Sequence, residues 1–253
     1  MRVIKHIPNT ITSMNLLSGT LGVIFALQGN IQTAFILMLA AACFDFCDGL
    51  AARLLGAYSE LGKELDSLSD MVSFGVLPAV MLYCTMSSGG WFKYIPLAIA
   101  VFSALRLAKF NLDERQHCGF IGLPTPACAM ICGSLACFVY AAPESCLATL
   151  CNTHWFIPAI SIVLSLLLVS ELPMFSMKFG KGTSASRKVV VLRGIFLVSA
   201  AIAICLAAIF KCHWSLAILL AFSVYIALNL ISAFSFRIDR EECSSSSPKN
   251  KSL

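Results

Sequence analysis

The chain has 253 residues, 58% of them hydrophobic and 12% charged, with a net charge of +5 and a mean hydropathy of +0.85. That balance excludes an ordinary soluble globule and reads as an all-α, polytopic membrane protein. The positive charge fits basic residues meeting anionic lipid headgroups, and nothing in the sequence points to nucleic acid.

In chain order, apolar stretches of roughly spanning length are predicted near 11–28, 31–55, 66–86, 91–112, 124–142, 154–172, 192–210 and 214–235. This makes a bundle of about eight transmembrane helices. The first stretch lacks a small-residue cleavage site and is expected to be a retained span rather than a signal peptide. Hydrophilic breaks fall at 56–63, 87–90, 113–122, 143–152, 173–193 and 211–213, with a tail from 237. If the N-terminus is cytoplasmic, sixteen of the eighteen Lys and Arg residues face the cytoplasm and only Lys93 and Lys211 face the other side. Both termini, and the turn at 56–63, are therefore expected on the cytoplasmic side of the cell membrane. A single membrane domain is expected over 1–236, with a catalytic core at about 1–172 and an additional helix pair at about 192–235. The run KFGKGTSASRK (178–188) reads as a solvated loop, with contact to a substrate phosphate as its sharper reading. The serine-rich end of the chain, within 237–253, reads as a disordered tail.

The functional signal lies in two segments, DFCDGLAAR (45–53) and GKELDSLSD (62–70). They place four carboxylates, Asp45, Asp48, Asp66 and Asp70, in otherwise apolar sequence. A carboxylate in hydrocarbon costs at least ~2.5–3.5 kcal/mol, so four in one hairpin demand cations or substrate. One helix is predicted to end near Leu55 and the next to start near Glu60, with Gly56 and Ser59 marking the turn. At roughly 100° per residue, Asp45 and Asp48 lie about 60° apart and Asp66 and Asp70 about 40° apart, so each pair shares a face. A rise of ~1.5 Å per residue sets Asp48 and Asp66 about 9–11 Å below the turn, and Asp45 and Asp70 about 15 Å below it. The four are therefore expected to converge and to hold divalent metal, Mg²⁺ or Mn²⁺, as two ions. Gly49, Ala52 and Gly62 leave a cleft beside them, and Arg53 would grip a phosphate there. Carboxylate-held metal plus arginine describes a phosphoryl-transfer centre.

The remaining polar residues have bland readings as well. Thr12 and Asn15 serve either as interhelical hydrogen-bonding groups or as pocket lining, and Arg106 and Lys109 either snorkel to headgroups or touch substrate. Of the twelve cysteines, Cys43, Cys47, Cys128, Cys132, Cys137 and Cys205 read as small buried apolar residues. Cys146 and Cys151 share an external loop where oxidation is the sharper reading. No zinc-ligand spacing is present.

The pattern D-x2-D-G-x2-A-R-x8-G-x3-D-x3-D resembles the signature of the CDP-alcohol phosphotransferases, membrane enzymes of phospholipid synthesis. KHIPNTITSMNLLSG (5–19), GKELDSLSDMVSFGVLP (62–78), RLAKFN (106–111) and GLPTP (122–126) are similar to the phosphatidylserine synthase branch. The resemblance implies CDP-diacylglycerol and L-serine as substrates, a nucleotide pocket including Thr12 and Asn15, and Asp70 as general base as well as metal ligand. Expected partners are these substrates, membrane lipids and a second copy of the chain in a homodimer. Glycerol phosphate, inositol and inositol phosphate are the alternative acceptors. A cation transporter would also carry intramembrane carboxylates, but their clustering beside Arg53 and the lack of an inverted repeat weigh against it. A structural or lipid-binding role leaves the carboxylates unexplained.

Overall fold

The computed structural model describes residues 6–86, 90–112, 120–174 and 187–245. Helix α1 (Ile7–Leu27) opens on Pro8, whose missing N–H and fixed φ suit a first turn. Helix α2 (Ile31–Leu55) is capped by Asn30, whose side chain accepts from Thr33 N at 3.1 Å. It stops at Gly56, which takes the left-handed conformation at φ 58°. Helix α3 (Glu60–Asp70) is capped by the Ser59 hydroxyl, which accepts from Gly62 N at 3.0 Å. The predicted turn is thus built as its residues indicate.

Beyond Asp70 the chain does not stay α-helical. Met71–Val76 forms a π-helical turn that leads into α4 (Leu77–Thr85), so one rod runs over Glu60–Thr85. This rod lies between α1 and α5 (Ala98–Leu112), itself entered through a 3₁₀ stretch at Gly90–Leu97. Ser69 and Ser73 face α1, whereas Ser67 and Gly75 face α5.

Helix α6 (Thr125–Ala141) occupies the centre, with every residue from Ala127 to Val139 buried. A helix apolar on all sides belongs in such a place. It packs on α2, α4 and α10 (Ser215–Ser245), and α10 packs on α9 (Arg187–Ile209). Phe196 of α9 and Tyr225 of α10 join the same core, so this helix pair is integrated with the rest. A short α7 (Cys146–Cys151) leads to α8 (Phe156–Val169), and two-residue strands β1 (Phe120–Ile121) and β2 (Pro173–Met174) pair antiparallel.

Each predicted apolar stretch is helical, but not all have spanning length. Among the described residues, six are long and apolar enough to cross a membrane: Ile7–Leu27, Ile31–Leu55, Glu60–Thr85, Gly90–Leu112, Val190–Ile209 and Ser215–Ser232. Helices α6 and α8 are apolar but shorter, at 17 and 14 residues. The α8 helix ends at Val169 because Ser170 turns to extended backbone and the chain proceeds into β2.

The cysteine reading needs a correction. Cys128, Cys132 and Cys137 are buried, but Cys43, Cys47 and Cys205 lie on outer helix faces, where a thiol is apolar enough to meet hydrocarbon. Of the 178–188 run, residues 178–186 lie outside the described residues, as do 246–253 of the tail; α10 itself continues as helix to Ser245.

Gly19 permits the close approach of α1 to the π-helical turn. A Cβ there would collide with Ser73, lying 2.9 Å from its Cα as well as overlapping its hydroxyl. Replacing glycine by alanine in an open helix position stabilises by about 1 kcal/mol, and Gly194, with open space around it, should behave so. Gly19→Ala should do the opposite, losing ~1–3 kcal/mol by overpacking. Thermal unfolding of the two variants in detergent checks this; an unchanged or raised midpoint for Gly19→Ala would contradict the packing.

Candidate active site

Three helices supply the site. Helix α2 brings Asp45, Asp48, Gly49, Ala52 and Arg53, α3 brings Gly62, Asp66 and Asp70, and α1 packs against both. One carboxylate oxygen from each of Asp45, Asp48 and Asp66 lies within 4.8 Å of the other two. Asp48 is buried and the other two are half-buried. At that spacing two ionised carboxylates repel by about 3 kcal/mol at an effective dielectric of ~20. Three such pairs call for a cation between them. The donors are all carboxylate oxygens, a hard set that fits Mg²⁺ or Mn²⁺.

The second layer comes from α1. Thr12 donates its hydroxyl to Asp48 Oδ2 at 2.6 Å, which fixes that carboxylate's orientation, as supporting hydrogen bonds commonly do around metals. Asn15 is fully buried and donates Nδ2 to Asp70 Oδ1 at 3.3 Å. Its amide is oriented by Ser73, whose hydroxyl donates to Asn15 Oδ1 at 2.7 Å. Asp70 is not part of the 4.8 Å group, although the charges of Asp45, Asp66 and Asp48 act on it. The fourfold convergence expected from helix geometry is therefore three carboxylates together and a fourth beside them.

A cavity of about 260 Å³ opens next to the carboxylates, lined by Thr12, Asp48, Gly49, Ala52, Arg53, Gly62 and Asp66 among others. Seven predicted site residues thus share one cleft. Arg53 is exposed at the end of α2, and a Cβ on Gly49 would meet open space. The cleft also contains Asn9, Tyr58, Ser59 and Lys63, none of which the sequence reading singled out as site residues. Asn9 had a readable signal, because Asn9, Thr12 and Asn15 recur every three residues along α1. A Cβ on Gly62 would come within 3.0 Å of Asn9 Oδ1, so this glycine lets the amide reach the cleft. Of the remaining candidates, Arg106 is buried in the bundle near Asp70, and Lys109 is exposed and outside the cleft.

The family model described as CDP-alcohol phosphatidyltransferase matches residues 5–169, which contain this whole arrangement. The chain belongs to that family. It is similar to a protein named CDP-diacylglycerol–serine O-phosphatidyltransferase from Mycobacterium leprae (strain TN), at 37% identity over 69% of this chain and 59% of the relative. One of the same name from Bacillus subtilis (strain 168) is 37% identical over 54% of this chain and 77% of its own. Another from Methanocaldococcus jannaschii is 30% identical over 89% and 94%. The chain spans about three fifths of the length of the mycobacterial relatives it matches.

Asp45→Asn, Asp48→Asn and Asp66→Asn each remove ligand charge without changing volume. Each should weaken Mn²⁺ binding, measured by titration of the folded protein, by more than ~10-fold, and, because each also relieves carboxylate repulsion, none should lower the thermal midpoint measured without metal. Unaltered Mn²⁺ affinity in all three would contradict the assignment.

Proposed function

We propose that this protein transfers the phosphatidyl group of CDP-diacylglycerol to the hydroxyl of L-serine, giving phosphatidylserine and CMP. The observation that carries the reading is the group of Asp45, Asp48 and Asp66 within 4.8 Å, with Asp70 beside it held by Asn15. The names of the relatives support serine as the acceptor.

The three grouped aspartates would hold the divalent ions, two of Mg²⁺ or Mn²⁺, with Asp70 at their margin. When bound, these ions supply charge neutralisation at the pyrophosphate and the departing CMP. Arg53 and Lys63 at the cleft wall meet phosphate oxygens, while Asn9 and Thr12 offer polar contacts to the nucleotide. Asp70 accepts the proton from the serine hydroxyl as its oxygen bonds to the phosphorus on the diacylglycerol side. The phosphorus–oxygen bond to CMP breaks in the same displacement, and CMP leaves with its pair of electrons. Asn15, locked by Ser73, keeps the accepting carboxylate aimed.

The same reading places the protein in the cell membrane as a homodimer. Helices α6 and α8 complete eight spans, and both termini and the cleft face the cytoplasm, as the Lys and Arg distribution indicates. Cytoplasmic access suits a nucleotide-linked substrate.

The test is CMP release by the purified protein with CDP-diacylglycerol and a panel of alcohols, in chelator and after Mg²⁺ or Mn²⁺ addition. L-serine should be turned over with added metal and not in chelator. Asp70→Asn should keep CDP-diacylglycerol binding and lose ~10²–10⁴-fold in turnover. Exclusive use of glycerol phosphate or an inositol would overturn serine as acceptor, and near-normal turnover of Asp70→Asn at saturating metal would remove Asp70 as the base.

A further inference from the structure

The helix pair α9 and α10 lies beyond residues 5–169, which the family model matches, and the proposed chemistry uses nothing from it. Between the two helices runs an apolar groove of about 510 Å³, lined among others by Phe196, Ala200 and Ala208 of α9, Ala217 and Ala221 of α10, and Trp214 just before α10. Ile204, which also lines it, is 62% exposed, so the groove opens outward. Spanning helices hold together by close packing, because lipid gives them no hydrophobic drive to join. A void of this size forfeits such contacts, and water does not fill an apolar space.

The place of the groove narrows its occupant. Trp214 stacks on Phe35 of α2, with ring centroids 5.3 Å apart and planes at 14°. Phe35 precedes Asp45 by ten residues, about 15 Å along α2, so the groove begins at the end of the bundle away from the cleft. From Ala208 to Phe196 it follows α9 for twelve residues, about 18 Å. One leaflet of a ~30 Å hydrocarbon core is about 15 Å deep. The groove is therefore as long as one acyl chain. A tryptophan at its outer end suits the headgroup level.

The turn at that end carries a charge. Lys211 is exposed, and the next residue, Cys212, lines the groove. The φ of 51° at Lys211 sets a long side chain in the left-handed region, where glycine or asparagine fits with less strain. No Asp or Glu occurs between Glu171 and Asp239, so neither helix of the pair offers Lys211 an anion before the far end of α10. We propose that this groove binds an anionic phospholipid of the leaflet away from the cleft, with one acyl chain along α9 and α10 and its phosphate at Lys211. A second copy of the chain would bring another Lys211 to a two-fold contact and no acid for either, whereas a phosphate supplies the missing charge.

The test leaves Trp214 as the only tryptophan, through Trp91→Phe and Trp155→Phe, in the full chain in detergent micelles. Its fluorescence is titrated with phosphatidylglycerol or phosphatidylcholine brominated on the acyl chains. Quenching by phosphatidylglycerol should saturate, and phosphatidylcholine should need ~5-fold more lipid, the worth of one interfacial lysine. Lys211→Asn, which suits the left-handed backbone, should abolish that difference. Ala208→Phe, which fills the groove from an exposed position, should weaken quenching by both lipids ~10-fold. Quenching that never saturates and is equal with and without Ala208→Phe marks bulk lipid and would overturn the proposal. So would a ~5-fold difference that survives Lys211→Asn. Absence of quenching, with Ala208→Phe turning a dimer into a monomer by light scattering, would give the groove to a second copy instead.

Discussion

Three carboxylates held within 4.8 Å of one another inside an apolar bundle are the constraint from which the rest of the site follows. Their mutual repulsion, about 3 kcal/mol per pair at an effective dielectric of ~20, opposes folding unless cations occupy the centre. The chain therefore has to position the aspartates tightly enough to share ions and still leave an approach for substrate. Helix α1 does the first with a polar stripe: Thr12 orients Asp48, and Asn15 orients Asp70. Small residues do the second, since Gly49, Ala52 and Gly62 line the cleft without filling it.

The rod from Glu60 to Thr85 shows how packing and chemistry are tied together. Its Ser69 and Ser73 engage α1, and its Ser67 and Gly75 engage α5, so Asp66 and Asp70 are clamped from two directions. The π-helical turn begins directly after Asp70. Such turns recur at functional sites, and here the widened turn carries both Ser73, which locks Asn15, and Gly75, which admits Ser103. Arg106 packs from the α5 side, buried with its Nη1 donating to Thr125 and outside the cleft lining.

Helix ends and the aspartate pattern were legible in the sequence because they depend on local rules. Gly56 needs its left-handed backbone, Ser59 caps, and aspartates at three- and four-residue spacing share a helix face. What was hidden depends on tertiary context. The separation of Asp70 from the other three could not be computed from two ideal helices, because α1 packs against both arms and a π-helical turn follows. Arg106 and Lys109 look alike in sequence at the end of one apolar stretch, yet one is buried against Thr125 and the other exposed. The same holds for cysteines: Cys43 and Cys47 look as buried as Cys132, but their helix face points outward. Asn9 is the opposite case, since its three-residue spacing to Thr12 and Asn15 was present in the sequence.

Membership in the CDP-alcohol phosphatidyltransferase family agrees with a site built around shared cations, and the account stands or falls on where those cations bind. Anomalous diffraction from Mn²⁺-soaked crystals locates them directly. The account predicts peaks at roughly 2.1 Å from carboxylate oxygens of Asp45, Asp48 and Asp66. Manganese bound elsewhere in the bundle, with none at these three residues, would contradict it.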